Sequence, residues 1–350
     1  MQKPTLGWQS WSPPYQTWHK LPRWDYSPFP HNLKQSKLKS SGPLKSKIFY
    51  WCSWYAHATN INDQIIARTT EVIKKNVLPL SHLIIDDGWT TWGDWLHPDP
   101  VKFPDFKKTV QQIHLSGYKV GLWISPFLAD SSSLLYKNHP EWFVKYNNRP
   151  VQGMKIMPLW ESLIPQRYLL NFSLPKVQNY TKSYLKVAIE DWGIDLLKLD
   201  FLYAPYFNPN HSSHHVPAMH IKWLLSYIKK QYPKVQTIAC GAPFQESSSL
   251  VDVIRVSKDT ALPPYVPSFI NKFVYNNRIK LLKETLKSEL PPLLNLDPDV
   301  RMFHLDSPQT RNFWDTIQTP VVGIGDNLLE LSNKNINSIQ VWLKNLSSQS

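Results

Sequence analysis

The chain has 350 residues, 42% of them hydrophobic and 19% charged, enough apolar material for one large core or two ordinary ones and too much for a disordered or fibrous class. Its formal charge of +13 at pH 7 is scattered; the one loose basic cluster, Lys34, Lys37, Lys39, Lys45 and Lys47, sits in a Ser-rich polar stretch that reads as a solvated linker, so no nucleic-acid partner is expected. No apolar run reaches the ~18 residues of a membrane span, the first residues lack the apolar centre of a signal peptide, and Cys52 and Cys240 make no disulfide framework, so the expectation is a soluble cytoplasmic protein with no membrane partner.

Residues 1–45 hold Leu6-Gly-Trp-Gln-Ser-Trp-Ser-Pro-Pro14 and then a Pro-, Trp- and Lys-rich passage without a sustained period, which reads as an N-terminal arm or linker. From residue 46 onward strands alternate with helices. A strand over 48–54 is followed by a helix from Asn62-Asp63 towards Lys75, with Ile65, Ile66, Thr69, Val72 and Ile73 on one face. A second strand over 83–89 carries paired carboxylates, and a helix near 107–115 is closed by Gly117. A third strand over 120–124 ends on Ser125-Pro126. The irregular insertion 129–175 is long for a connection between strand and helix and suggests a lid or small subdomain.

A helix over 177–191 leads into the apolar run Ile194, Leu196, Leu197 and Leu199, a strand buried on both faces that stops on Asp200, with Lys198 on the same face two residues earlier. Further strands are expected over 235–240, 251–255, 292–295 and 321–324, and further helices over 214–232, 269–286 and 333–346. That alternation over about 300 residues is the size and count of a (β/α)8 TIM barrel, an α/β fold filling 46–350 behind a short N-terminal arm. An open doubly wound sheet is the alternative. No glycine-rich phosphate loop follows any strand, which argues against a nucleotide cofactor.

In a barrel, Trp54, Asp86, Asp87, Trp123, Lys198, Asp200, Cys240 and Arg255 converge at the C-terminal face, with Asp259 just beyond Arg255. Two carboxylates on different strands can perform glycoside hydrolysis, and Lys198 would hold Asp200 ionised. Asp86 and Asp87 suit capture of vicinal sugar hydroxyls, Arg255 could anchor another, and sixteen Trp and sixteen Tyr exceed the needs of core filling and suit stacking on sugar faces. A hard-cation site at Asp86-Asp87 and Asp297-Pro-Asp299, or a zinc site at His211, His214 and His215, is the weaker reading. Cys52 reads as core and Cys240 as pocket or core; Trp8, Trp11 and Trp51 are equally open.

These motifs together resemble the α-galactosidases of glycoside hydrolase family 36, of the shorter archaeal and thermophilic-bacterial, melibiase-like type. The matching residues are Tyr50-Trp-Cys-Ser-Trp-Tyr55, Ile85-Asp-Asp-Gly-Trp89 with Gly93-Asp-Trp95, Phe103-Pro104, Gly121-Leu-Trp-Ile-Ser-Pro-Phe127 and His139-Pro-Glu-Trp142. They continue with Lys198-Leu-Asp-Phe201, Cys240-Gly-Ala-Pro243, Arg255-Val-Ser-Lys-Asp259 and Asp297-Pro-Asp299, in the family's order. The resemblance implies a retaining mechanism with Asp200 as nucleophile and Asp259 as acid/base. Trp54, Asp86, Asp87, Trp123, Lys198, Cys240 and Arg255 would line the galactose pocket, with Trp11 pushed into it from the arm. It implies a galactoside oligosaccharide as substrate, no cofactor and no metal, and it allows a homo-oligomer.

The chain departs from the family in Asn171, where some relatives have Asp, in Leu296 between Asn295 and Asp297, and in apparently lacking the N-terminal β-sandwich and C-terminal β domain. The alternatives are an α-galactosyltransferase of raffinose-synthase type, or a truncated, catalytically impaired carbohydrate-binding relative.

Overall fold

The computed structural model describes residues 41–154, 166–210, 215–287 and 295–348. Nine strands among them form one sheet: β1 Ile48–Cys52, β2 His82–Ile85, β3 Lys119–Ile124, β4 Leu196–Leu199, β5 Gln236–Ala239, β6 Val253–Arg255, β7 Leu296–Asp297, β8 Val300–Arg301 and β9 Val321–Ile324. Every pairing is parallel and the spatial order is β7-β6-β5-β4-β3-β2-β1-β9-β8. The two end strands are separated in the chain by Pro298 and Asp299 alone, so the ring is closed by the chain itself. Together β7 and β8 are one barrel strand, broken in the middle. Pro298 has no N–H for a ladder, and Asp299 turns the chain with φ 77. The first half pairs with β6 and the second with β9.

This is a (β/α)8 barrel, and an open doubly wound sheet is not what the residues form. Of the expected strand over 292–295, residues 292–294 lie outside the described residues, and the Asn295 carbonyl oxygen accepts from the Ile254 N–H at 3.0 Å. The described pairing is made by Leu296–Asp297 and Val300–Arg301, which were not expected as strands. The residues at 53–54 leave the first strand early, because Ser53–His57 already turns as a helix.

Strands buried on both faces are largely apolar, as β1, β2, β4 and β9 show by being buried along their whole length, with His82 and Lys198 as buried polar exceptions. Inside the barrel the packing is tight. A Cβ at Gly323 would lie 2.3 Å from the Tyr50 ring, so only glycine there lets Tyr50 cross the interior to reach Asp297.

The helices form as their caps and apolar spacing dictate. In Asp63–Lys75 the Asn62 side chain accepts from the Ile65 N–H at 2.8 Å, and Ile66, Thr69, Thr70 and Ile73 are buried. Asn62→Ala should therefore cost about 1 kcal/mol in urea denaturation with an unchanged m-value; a cost near zero would mean that the cap contributes nothing. Helix Pro175–Lys186 continues into a widened π turn over Val187–Asp191, and His215–Gln231, Ser268–Lys287 and Asn333–Ser348 follow the expected spans closely. A further helix, Pro308–Thr316, was not expected from the sequence. The described part of the long insertion holds two small antiparallel pairs, Leu128–Asp130 with Arg167–Leu169 and the hairpin Lys145–Tyr146 with Arg149–Pro150, beside the third strand. No helix among the described residues is long and apolar enough to cross a membrane.

Candidate active site

Side chains two apart on a strand share a face, and the last inward positions of the barrel strands carry the polar groups. Cys52, Lys198, Arg255 and Asp297 stand on β1, β4, β6 and β7; Asp86, Asp200, Cys240 and Asp299 stand one or two residues past a strand end. All eight side chains therefore meet at the C-terminal face.

At the floor, Lys198 Nζ bonds Asp86 Oδ2 at 2.5 Å, and the Cys52 thiol donates to the same oxygen at 3.2 Å. All three are buried. Burial opposes the Lys198 ammonium, but the Asp86 carboxylate holds its pKa well above the usual lysine value. Burial and then Asp86 push the Cys52 thiol up, so it stays protonated and acts as a donor. This is a buried ion pair braced by a thiol, which fixes the Asp86 carboxylate for a polar ligand.

Asp200 is half-buried at the end of β4. Its carboxylate accepts from Trp123 Nε1 at 3.2 Å and from the Phe201 N–H at 2.7 Å, with Phe201 held at φ 53 so that its N–H turns inward. Burial raises the Asp200 pKa, opposed by Lys198 and Arg255, and Asp259 adds to the rise. The two carboxylates therefore feel one another across the site. Cys240, buried after β5, is pushed up by burial and then by Asp200, so it too stays a thiol.

Asp259 is the exposed member, with 48% of its side chain open to solvent. Arg255 Nη2 lies 2.8 Å from its Oδ1, and the Tyr55 hydroxyl donates to it at 3.2 Å. Burial works to raise its pKa, but Arg255, Lys198 and Arg278 outweigh it and the group sits below the usual carboxylate range. Arg255 is shared. Its Nη2 also lies 2.6 Å from Asp299 Oδ2 and donates to the Tyr55 hydroxyl at 2.9 Å.

On the other flank, Trp92 Nε1 donates to Asp87 Oδ1 at 2.7 Å. The Arg167 guanidinium lies 4.3 Å over the Trp92 ring and pairs with Asp130. Burial pushes Asp87 up to about 7, with the Trp92 bond and Arg167 limiting the rise. Asp87 thus changes charge near neutrality.

Of the residues expected at the site, Asp86, Asp87, Trp123, Lys198, Asp200, Cys240, Arg255 and Asp259 are brought together, and Trp54 lies half-buried on the turn after β1 at the same end. Trp11 lies outside the described residues, as do His211 and His214. Tyr55, Trp92 and Arg167 contact this set and carried no expected role, and Asp299, which also contacts it, was expected only as a weak cation-ligand candidate. Asp297-Pro-Asp299 was visible as a motif, but nothing in it told that Asp299 would bond Arg255. Among the described residues no group of three or more His, Cys, Asp and Glu side chains could hold a metal ion. Asp86, Asp297 and Asp299 are instead engaged by Lys198, Tyr50 and Arg255.

The sequence model of the melibiase family matches residues 28–244 of the chain. The chain belongs to the melibiase family. Among melibiase relatives, the probable α-galactosidase C of Aspergillus flavus is 24% identical over 209 residues, which is 54% of this chain and 26% of that protein. The α-galactosidase 2 of Pediococcus pentosaceus is 35% identical over 120 residues, 31% of this chain and 17% of that one. The chain thus matches about a quarter or less of the length of these relatives. The α-galactosidase from Thermus thermophilus, solved with p-nitrophenyl α-D-galactopyranoside, superposes with a TM-score of 0.70 at 24% identity, covering 86% of this chain and 62% of that one. That likeness in fold covers more of the chain than the family match does.

Proposed function

We propose that this melibiase chain is a retaining α-galactosidase that hydrolyses terminal α-linked galactose from oligosaccharides by double displacement. The observation that carries the reading is the meeting of Asp200 and Asp259 above the Lys198–Asp86 pair. One carboxylate is held by two N–H donors, and the other stands open to solvent beside a shared arginine.

In the first step an Asp200 oxygen bonds to the anomeric carbon. The bond from that carbon to the leaving oxygen breaks, and its electron pair takes a proton from Asp259. In the second step a water oxygen bonds to the anomeric carbon and gives its proton to the Asp259 carboxylate, and the ester to Asp200 breaks to restore the free carboxylate. The Trp123 and Phe201 N–H groups suit an ionised nucleophile, since both favour the charged form. The depressed Asp259 suits the base of the second step; for the first it draws a proton from solvent, which its exposure permits. In this reading Asp86 and Asp87 would accept sugar hydroxyls, and Trp54 and Trp123 would line the galactose.

The test is hydrolysis of p-nitrophenyl α-galactoside beside the α-glucoside and the α-N-acetylgalactosaminide, with NMR of the first-formed sugar. Preference for the galactoside and release of α-galactose are expected. Hydrolysis of none of the three would contradict the activity, and β-galactose as first product would contradict retention.

A further inference from the structure

The proposed reaction makes no use of Asp299, yet it is among the most constrained carboxylates in the barrel. It is 1% exposed, its φ of 77 lies in a region that few residues adopt, and it occupies the break between β7 and β8. Its Oδ2 takes Arg255 Nη2 at 2.6 Å, the Tyr55 hydroxyl, the Thr260 N–H at 2.8 Å and the Thr260 hydroxyl at 3.1 Å. Its own N–H is tied to Asp297 Oδ1 at 2.9 Å, and Asp297 is held by Tyr50.

The Arg255 nitrogen at issue has two N–H groups and faces three acceptors: Asp299, Asp259 and the Tyr55 hydroxyl. The Tyr55 hydroxyl is likewise directed at both carboxylates. One cation and one phenol therefore serve two carboxylates. The buried carboxylate has the shorter contact with Arg255, 2.6 Å against 2.8 Å, and the more exposed one takes what remains. With Arg255 to itself, Asp259 would be held still further below the usual carboxylate range than it already is, which suits a base and not an acid.

We propose that Asp299 is a positioning residue that divides Arg255 and Tyr55 between two carboxylates, leaving Asp259 free to take up and give a proton. This rests on the acid/base reading of Asp259. The charged and titratable groups around the pair are Arg255, Tyr55, Lys198 and Asp200, with Asp297 and Tyr50 behind Asp299 and Arg278 bonded to the Asp259 carbonyl oxygen. Removing the Asp299 charge acts in one direction only. A nearby negative charge is lost and Arg255 turns wholly to Asp259, so Asp259 becomes a stronger acid.

The experiment is the titration of Asp259 by carboxyl-carbon NMR on uniformly labelled full chain, assigned with Asp259→Asn, in wild type and in Asp299→Asn. This readout needs no turnover. Asparagine keeps the shape and tolerates a positive φ. Asp259 is expected to titrate about one unit lower in Asp299→Asn, the scale of one neighbouring charge. In kinetics, the basic limb of kcat/KM on α-galactosyl disaccharides, whose sugar leaving groups need the acid, should move to lower pH. At pH above that limb their rate should fall about tenfold more than that of p-nitrophenyl α-galactoside, whose leaving group needs little help.

Thr260→Val removes from Asp299 a hydroxyl that it shares with the Val300 carbonyl oxygen, leaves it a stronger competitor for Arg255, and should move Asp259 the other way. An Asp259 titration unchanged in both variants, or moved upward in Asp299→Asn, would overturn the proposal. Titration shifts as described in a chain without galactosidase activity would uphold the division of Arg255 and overturn the function assigned to it.

Discussion

Asp200→Ala should lower kcat on p-nitrophenyl α-galactoside by about 10⁴-fold or more, the scale seen when a covalent nucleophile is removed. Stability should change little. Asp200 is half-buried and burial raises its pKa, so the folded chain already disfavours its charge, and the substitution leaves only the Trp123 and Phe201 N–H groups to find water. The truncated side chain opens space beside the anomeric carbon on the face that Asp200 would have attacked. Added azide should enter it and restore part of the turnover, with β-galactosyl azide as product. Wild-type turnover in Asp200→Ala would remove this residue from the mechanism; a large fall in melting temperature would make the loss of activity uninformative, and the azide product then decides.

Lys198→Met should cost about 3–5 kcal/mol in urea denaturation, because it strands a buried carboxylate. Asp86 is 2% exposed, and without Lys198 it keeps the Cys52 thiol and the Asp87 N–H but no cation. The pair itself contributes less than that figure suggests, since both ions were desolvated to form it. Combining Lys198→Met with Asp86→Leu should therefore recover most of the lost stability while activity stays absent. A single-variant cost below about 1 kcal/mol would mean that water reaches Asp86, contrary to its burial.

How much of this was legible follows from the periods involved. Alternation along a strand put Lys198 and Asp200 on one face from the sequence, and the structure keeps both at the C-terminal end of β4. The same reasoning found Asp86, Cys240 and Arg255. It missed the split strand Leu296–Asp297 and Val300–Arg301, because no local rule says that a strand interrupted by proline can close a barrel in two halves. The helix Pro308–Thr316 was missed for a related reason. Its cap is reciprocal, Ser307 with Thr310, where the usual signature has Glu or Gln at the third position. Tyr55, Arg167 and Asp299 act through contacts between elements far apart in the chain, with Tyr55 and Asp299 separated by 244 positions, and periodicity carries no information about such pairs. Trp11 and the other residues of 1–40 lie outside the described residues, so the expected role of the arm stays where the sequence left it.

The most direct measurement is to trap the covalent intermediate. Incubating the chain with 5-fluoro-α-galactosyl fluoride, whose ring fluorine slows both steps while its good leaving group speeds the first, should let a fluorogalactosyl ester accumulate. Mass spectrometry of the peptic digest should then find one added fluorogalactosyl group, on the peptide that contains Asp200 and on that carboxylate, and none in Asp200→Ala. A sugar attached to Asp259 or to any other residue, or rapid turnover that releases β-galactose with no adduct, would contradict the account.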